Sequence, residues 1–532
     1  MKPPLIWLCD LTYTQQTISN DTVPAAIGGI ATTIIKYNPK SKIKLFKFPT
    51  KLSDAINKVI SGDRKPDIIS FSNYSWNYNL SYKICSEIKS NFKDVVTASG
   101  GPNFPFDIEE QKKFLQENKF LDFYIQKEGE LAWANIVKLW IDSSTKLDFF
   151  LNLKSINNVV FLNQSNELVQ DIGIQRIKDL EEIPSPYLSG ALDEFLDGKL
   201  LPVIQTNRGC PFTCSFCTEG QKIWSLVRRK DSQTIQEELN YISSKLNNLP
   251  SEKRRHDLLI ADSNFGMYKE DIEICKQISN IQKLTNWPSY INVATGKNNK
   301  ERVLEASKIV NGAINLAGSV QTLNEKVQKN IKRSNISKSQ ILDLAQQSKL
   351  LGADSYSELI LALPGETKET HIDAINNLID AGFNYVVMYQ LMLLPGTEMS
   401  SLKSRKEYEF KTKYRVIPRG FGYYDFFNKT IASAEIEEIV VQTSSLSFDE
   451  YLDCRIYALC VNMFFNNAVF EEILYLLNFL KVDTSEWINE IFNYMKKTLS
   501  HDQNNNFELK DIISSFIDES KEELWDSKND LL

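Results

Sequence analysis

Residues 207–220 read NRGCPFTCSFCTEG. Cys210, Cys214 and Cys217 fall within one short loop, behind a Gly-Cys-Pro turn and with no fourth cysteine nearby. A structural zinc site wants four protein ligands, normally as two spaced pairs, and the histidines His256, His371 and His501 stand isolated. A disulfide uses two thiols and leaves a reactive third, which suits neither this spacing nor a reducing compartment. A cubane iron–sulfur cluster normally takes four cysteines, so three leave one iron open to a substrate or cofactor. The other cysteines, Cys9, Cys85, Cys275, Cys454 and Cys460, lie in apolar surroundings, where a buried free thiol is the ordinary reading.

Around this loop the sequence alternates strand and helix patterns. From 200 to 400 the strand candidates are LPVIQT, DLLIADS, YINVAT, AINLAGSV, ELILALP and YVVMYQLML, separated by helices such as SQTIQEELNYISSKL and KETHIDAINNLIDAG. This succession predicts a partial (β/α)6 TIM-like barrel with its chemistry at the C-terminal mouth. Residues 1–145 carry an earlier alternation, PLIWLC, IKLFKF, PDIISFS, VVTASGG and FLDFYIQ each followed by a helical pattern, as in a doubly wound parallel sheet. Ligands of such sheets bind beyond the strands' carboxyl ends, where the chain places DLTYTQQTISNDT, NYSW, GGPNF and KEGE. Residues 146–199 read as a connector with a small hairpin, and 401–532 as a helical C-terminal domain. The fold class is α/β throughout its first two domains.

A length of 532 residues supports several cores. With 42% hydrophobic and 24% charged residues the composition is that of a globular protein. A net charge of -7 without a basic stripe gives no support for a nucleic-acid partner. Apolar runs fall short of a membrane span, and MKPPLIWLCD lacks the features of a secretory signal. The expectation is a cytoplasmic protein with no membrane partner.

The CxxxCxxC spacing, following the first strand of the barrel series and with Phe216 beside the last cysteine, resembles the radical S-adenosylmethionine (radical SAM) superfamily. The resemblance implies that Cys210, Cys214 and Cys217 hold a 4Fe-4S cluster. Its open iron would chelate S-adenosylmethionine, which one-electron reduction cleaves to a 5'-deoxyadenosyl radical. It implies an electron donor such as flavodoxin or ferredoxin. It further suggests cofactor contacts from Asp262 and Asn264, Gln321 and Arg333, and Pro364, Gly365 and Glu366. Ordinary alternatives are turn caps, a solvated helix end and a common turn.

A sheet domain ahead of such a barrel resembles the cobalamin-binding domain of the cobalamin-dependent radical SAM enzymes, although such domains are also common as scaffolds. The matching segments are the first loop, PDIISFSNY, SGGPNFP and KEGE. The candidate cobalamin contacts are therefore Gly100, Gly101, Pro102, Asn103, Glu128, Gly129 and Glu130. Glycine pairs leave room for a flat macrocycle. The chain departs from the DxHxxG pattern of other cobalamin proteins: no histidine precedes residue 256, so a bound cobalt would lack a histidine ligand from this domain. Methylthiotransferases of transfer RNA, a sister family, bring three further cysteines before the barrel, whereas only Cys9 and Cys85 precede it here.

The expected activity is methylation of an unactivated carbon in a small-molecule or natural-product substrate. The alternatives are ring contraction, rearrangement or cyclisation with the same cofactors, and a non-catalytic iron–sulfur sensor or maturation protein. The aromatic segment RVIPRGFGYYDFFNK, 415–429, is a candidate cover for the cavity, with packing of its aromatics against a core as the alternative.

Overall fold

A computed structural model describes residues 2–170, 174–296, 298–334, 340, 345, 355–500 and 507–531. His501 lies outside the described residues. The front sheet contains β1 (Leu5–Cys9), β2 (Lys42–Phe46), β3 (Ile68–Ser72), β4 (Val96–Gly100), β5 (Phe123–Ile125), β6 (Val159–Leu162) and β7 (Leu168–Gln170). Their order is β2-β1-β3-β4-β5-β6-β7. Strands β1 to β5 run parallel, and β6 and β7 add antiparallel. Strands β1 and β3 are buried at every position, as a sheet covered on both faces requires. Edge strand β2 instead exposes Lys42 and Lys44.

Helices Ala25–Tyr37 and Glu130–Asp142 pack on one face of the sheet, Pro49–Ile60 and Tyr78–Asn91 on the other. The hairpin expected in the connector forms β6 and β7, but it extends the front sheet rather than bridging to the next domain. Because the strand order reverses at β1, the loops after β1 and β3 diverge and leave a crevice at their carboxyl ends.

The second domain contains β8 (Val203–Ile204), β9 (Asn207–Arg208), β10 (Arg228–Arg229), β11 (Asp257–Phe265), β12 (Tyr290–Thr295), β13 (Leu316–Ala317), β14 (Ser355–Leu361) and β15 (Tyr385–Gln390). All the strands expected of the barrel series are present. They form two parallel sheets, β12-β11-β8 and β13-β14-β15, joined by a bridge between Ile291 and Ile314. The short antiparallel pair of β9 and β10 brackets the cysteine loop.

The C-terminal module departs from the all-helical expectation at its start. Residues 411–442 form a long antiparallel hairpin, β16 (Lys411–Phe426) and β17 (Lys429–Gln442). Its two-residue turn places Phe427 and Asn428 at φ 52° and 60°, the conformation that matches the twist of paired strands. Helices Phe448–Phe464, Glu471–Leu480, Thr484–Ser500 and Phe507–Glu522 follow. Among the described residues no helix is long and apolar enough to cross a membrane.

This hairpin settles the fate of the candidate cover. Tyr424 and Phe426 are buried in the front-domain core with Trp7, Phe71 and Leu80. The Tyr424 hydroxyl accepts the Thr14 N–H at 2.8 Å, and Gln15 Nε2 donates to the Tyr423 carbonyl at 2.8 Å. The segment straps the C-terminal module to the front sheet instead of covering the cavity, because its alternate residues face an apolar surface left between two helices.

Glu435 of β17 anchors that strap and is 1% exposed. Its carboxylate accepts the N–H groups of Asn79 and Leu80 at 2.9 Å each, in the first turn of helix Tyr78–Asn91, and the Tyr13 hydroxyl at 2.8 Å. Burial pushes its carboxyl up to about 7, against the opposing pull of those donors and of Lys528. An acid raised on folding binds its proton more tightly in the native state. Its contribution is therefore complete below the usual carboxylate range and declines until pH reaches about 7. Thermal melts across this range should show Glu435→Gln losing that decline relative to the native protein, while costing about 1–3 kcal/mol at low pH through donors left unpaired. An identical pH slope in both proteins would refute the assignment.

Candidate functional site

The cysteine loop is held by its own backbone. Cys210 N–H donates to the Trp224 carbonyl at 2.9 Å, Cys217 N–H to Cys214 at 3.1 Å, and Gly220 N–H to Cys217 at 3.0 Å. Cys210 and Cys214 are buried and Cys217 half-buried. Asn264, at the end of β11, donates Nδ2 to Cys210 Sγ at 3.2 Å, and Arg333 places Nη1 3.8 Å from Cys214 Sγ. Donors aimed at sulfur favour thiolates and tune a cluster. Among the described residues no three His, Cys, Asp or Glu side chains are grouped to hold a single metal ion. A four-iron cluster takes one cysteine per iron, which suits three thiols carried on one loop.

Asp262 is 3% exposed and faces the base of this loop. One oxygen accepts the N–H groups of Thr206 and Asn207 at 2.9 and 3.2 Å; the other accepts the Thr206 hydroxyl and Asn207 Nδ2. Burial raises its carboxyl to about 7 in spite of these donors. Its contacts fasten β11 to the cysteine loop.

Between the carboxyl ends of the front sheet and the cysteine loop lies a cavity of about 740 Å³, within the range of ligand sites. Its front-domain wall includes Asp10 after β1, Tyr74 and Trp76 after β3, Gly100, Gly101 and Pro102 at β4, and Glu128, Gly129 and Glu130 after β5. Opposite are Arg208, Thr218, Glu219, Gln221 and Trp224. Tyr74 and Trp76 stack with centroids 4.4 Å apart and planes 8° from parallel, and Trp76 Nε1 is buried without a hydrogen-bond partner. Gly29, Ile30 and Trp133 also line the cavity. Among the described residues no histidine lines the cavity. The aromatic faces of Tyr74 and Trp76 and the unpaired Trp76 Nε1 donor fit a large planar ligand.

Gly101 has a reason beyond the expected room for a ligand. At φ 138°, a Cβ there would sit 2.5 Å from the Asn73 carbonyl oxygen, so the loop backbone, and not only the cavity, excludes a side chain.

Other expected residues lie elsewhere. Asn103 exchanges hydrogen bonds with Asn73, Nδ2 to Oδ1 at 3.0 Å and its carbonyl to Asn73 Nδ2 at 2.7 Å. Phe216 packs against the apolar cluster that includes Val327, Ile331 and Leu361. The Pro364 carbonyl accepts Asn330 Nδ2 at 2.8 Å, next to Gly365. Glu366 is fully buried, 3.4 Å from His371 Nδ1. Asn103, Phe216, Pro364, Gly365 and Glu366 are absent from the cavity wall. Gln321 is buried, bonded through its backbone to Glu358 and Ile360, with Oε1 unpaired. Arg208, Lys127 and Gln221 join the cavity wall beyond the expected residues; the basic residues of NRGC and KEGE are the signals in the sequence for the first two.

Residues 204–376 match the profile of the Radical SAM superfamily. The chain is 26% identical over 453 residues to the 2-(S-pantetheinyl)-carbapenam-3-carboxylate methyltransferase of Streptantibioticus cattleyicolor, covering 83% of this chain and 63% of that protein. It is 26% identical over 436 residues to the cobalamin-dependent radical SAM methyltransferase TokK of Streptomyces tokunonensis, covering 80% and 60%. The chain thus spans less than two thirds of the length of these relatives. Its fold is similar to that of the cobalamin-dependent S-adenosylmethionine radical enzyme OxsB with aqua-cobalamin and S-adenosylmethionine bound. The TM-score is 0.59 at 16% identity, over 98% of this chain and 76% of that one.

Proposed function

We propose, on the premise that residues 204–376 are a radical SAM superfamily domain, that the chain is a cobalamin-dependent radical SAM methyltransferase. Its substrate would be a small natural-product molecule, methylated at an unactivated carbon in the cytoplasm, with no nucleic acid involved. Cys210, Cys214 and Cys217 would hold the 4Fe-4S cluster, and the cavity at Gly100, Gly101 and Trp76 the cobalamin. The observation that carries the reading is that one cavity borders both the front-sheet loops and the cysteine loop. Ligands held at these two places would face each other.

When bound, these groups supply one-electron cleavage of S-adenosylmethionine and a methyl donor, with electrons from a flavodoxin or ferredoxin. The chain's residues orient and shield. Asn264 and Arg333 point donors at the Cys210 and Cys214 sulfurs. Asp262 fixes the loop that carries them. Tyr74 and Trp76 present an apolar wall that excludes water from the front-domain side.

The experiment is anaerobic turnover of the reconstituted, cobalamin-loaded chain with S-adenosylmethionine, a reductant and a pantetheinyl carbapenam carboxylate of the kind named for the Streptantibioticus relative. The expected products are 5'-deoxyadenosine and a substrate heavier by one CH2. Formation of 5'-deoxyadenosine with an altered but unmethylated substrate would replace methyl transfer by rearrangement; its absence would remove the radical reading.

A further inference from the structure

The tetrapeptide KEGE, 127–130, sits on the cavity wall at the end of β5, yet its charged side chains reach the barrel domain. Lys127 Nζ donates to Gln221 Oε1 at 2.6 Å, just past Cys217. Gln221 in turn donates to the Gly396 carbonyl, in the loop beyond β15. On the other flank, Glu130 Oε1 accepts Arg208 Nη2 at 2.9 Å and Glu128 Oε1 lies 3.3 Å from Arg208 Nη1. Arg208 stands two residues before Cys210. Arg176 adds Nη2 3.6 Å from Glu128 and donates to the Arg208 and Leu226 carbonyls.

One turn of the front domain therefore grips the cysteine loop at both ends. The grip is sheltered: side-chain exposure is 2% for Glu128, 10% for Glu130 and 18% for Arg208. Such pairs keep their geometry, because separating them would leave charges unpaired away from water. Lys127 also holds φ at 62°, a backbone conformation that costs a residue with a side chain and persists where the surroundings over-determine it. The turn thus borders the cavity and holds the two residues, Arg208 and Gln221, that flank the cysteine loop.

We propose that residues 127–130 couple the two ligand sites, with Lys127 and Glu130 as positioning residues through which cobalamin in the cavity strengthens S-adenosylmethionine binding at the cysteine loop. The proposal rests on the cobalamin reading above. Linkage makes the effect reciprocal, so S-adenosylmethionine strengthens cobalamin binding by the same factor.

The test is equilibrium dialysis of labelled S-adenosylmethionine against the cluster-loaded full chain, with and without hydroxocobalamin, alongside a cobalamin titration followed by its visible spectrum. In the native protein cobalamin should lower the Kd for S-adenosylmethionine by at least about fivefold. In Lys127→Met and, separately, Glu130→Gln that factor should fall towards one. Lys127→Arg, which keeps a donor for Gln221, should retain much of the factor. A native factor of one, or an undiminished factor in both variants, overturns the coupling. Loss of S-adenosylmethionine binding without cobalamin marks a purely structural role and overturns it too. A flat spectral titration removes the cobalamin reading itself, and with it this inference.

Discussion

Alanine at Cys210, Cys214 or Cys217 should lower reductive cleavage of S-adenosylmethionine by at least about 100-fold, since even outer partners of metal ligands commonly cost 10–100-fold. The effect is this large because no substitute ligand is at hand. The remaining cysteines are buried in apolar cores, Cys9 and Cys85 in the front domain, Cys275 in the second domain, and Cys454 and Cys460 among the C-terminal helices. Burial raises all five of those thiols above their usual range, which keeps them protonated and poor as ligands. Cys454→Ala and Cys460→Ala should therefore leave 5'-deoxyadenosine formation at the native level, with only a modest loss of stability from the small cavities created. Equal losses from either control and from the loop cysteines would sink the assignment.

Gly220→Ala should prevent the chain from retaining the cluster although the residue is no ligand. A Cβ on Gly220 would overlap the Cys214 carbonyl oxygen and crowd the Cys214 backbone. The loop has no slack to yield, since Cys217 and Gly220 already close successive turns onto Cys214 and Cys217 and Ser215 N–H is tied to the Ile331 carbonyl at 3.1 Å. Relief would require moving Cys214 by roughly an ångström, more than a close-packed interior tolerates without loss of its contacts. Iron and sulfide analysis after anaerobic reconstitution should return less than about a tenth of the native content, as expected when ligand geometry is lost, while far-ultraviolet circular dichroism stays native-like. Native iron content in this variant would show that the loop adapts and that its glycine serves no packing role.

Much of the architecture was legible because it depends on local periodicity. Buried runs such as LIWLC and IISFS, each followed by a helical pattern, specify parallel strands wherever they fold. The hairpin at 411–442 was not legible. Its inward positions on β17 include Ser433, Glu435 and Glu437, so the alternation that marks a strand carries polar residues on the buried side. Its turn is Phe-Asn rather than a glycine-bearing pair. Those polar residues make sense only against partners far away in the chain, as Glu435 does against Tyr13.

The candidate site divides in the same way. The spacing of Cys210, Cys214 and Cys217 is a property of one short segment, so the sequence alone determined which thiols lie together. It also determined the succession of strands that carries the loop, and the lack of a histidine in the front domain. What only the tertiary structure decided is which neighbours those segments meet: Asn264 and Arg333 on the sulfurs, Asp262 on the base of the loop, KEGE on Arg208 and Gln221, and Tyr424 in the front-domain core rather than over the cavity. The physical reason is range. Ligand spacing and hydrophobic period act over a few residues and are written locally, whereas hydrogen bonds and packing between residues hundreds of positions apart exist only once the domains have docked.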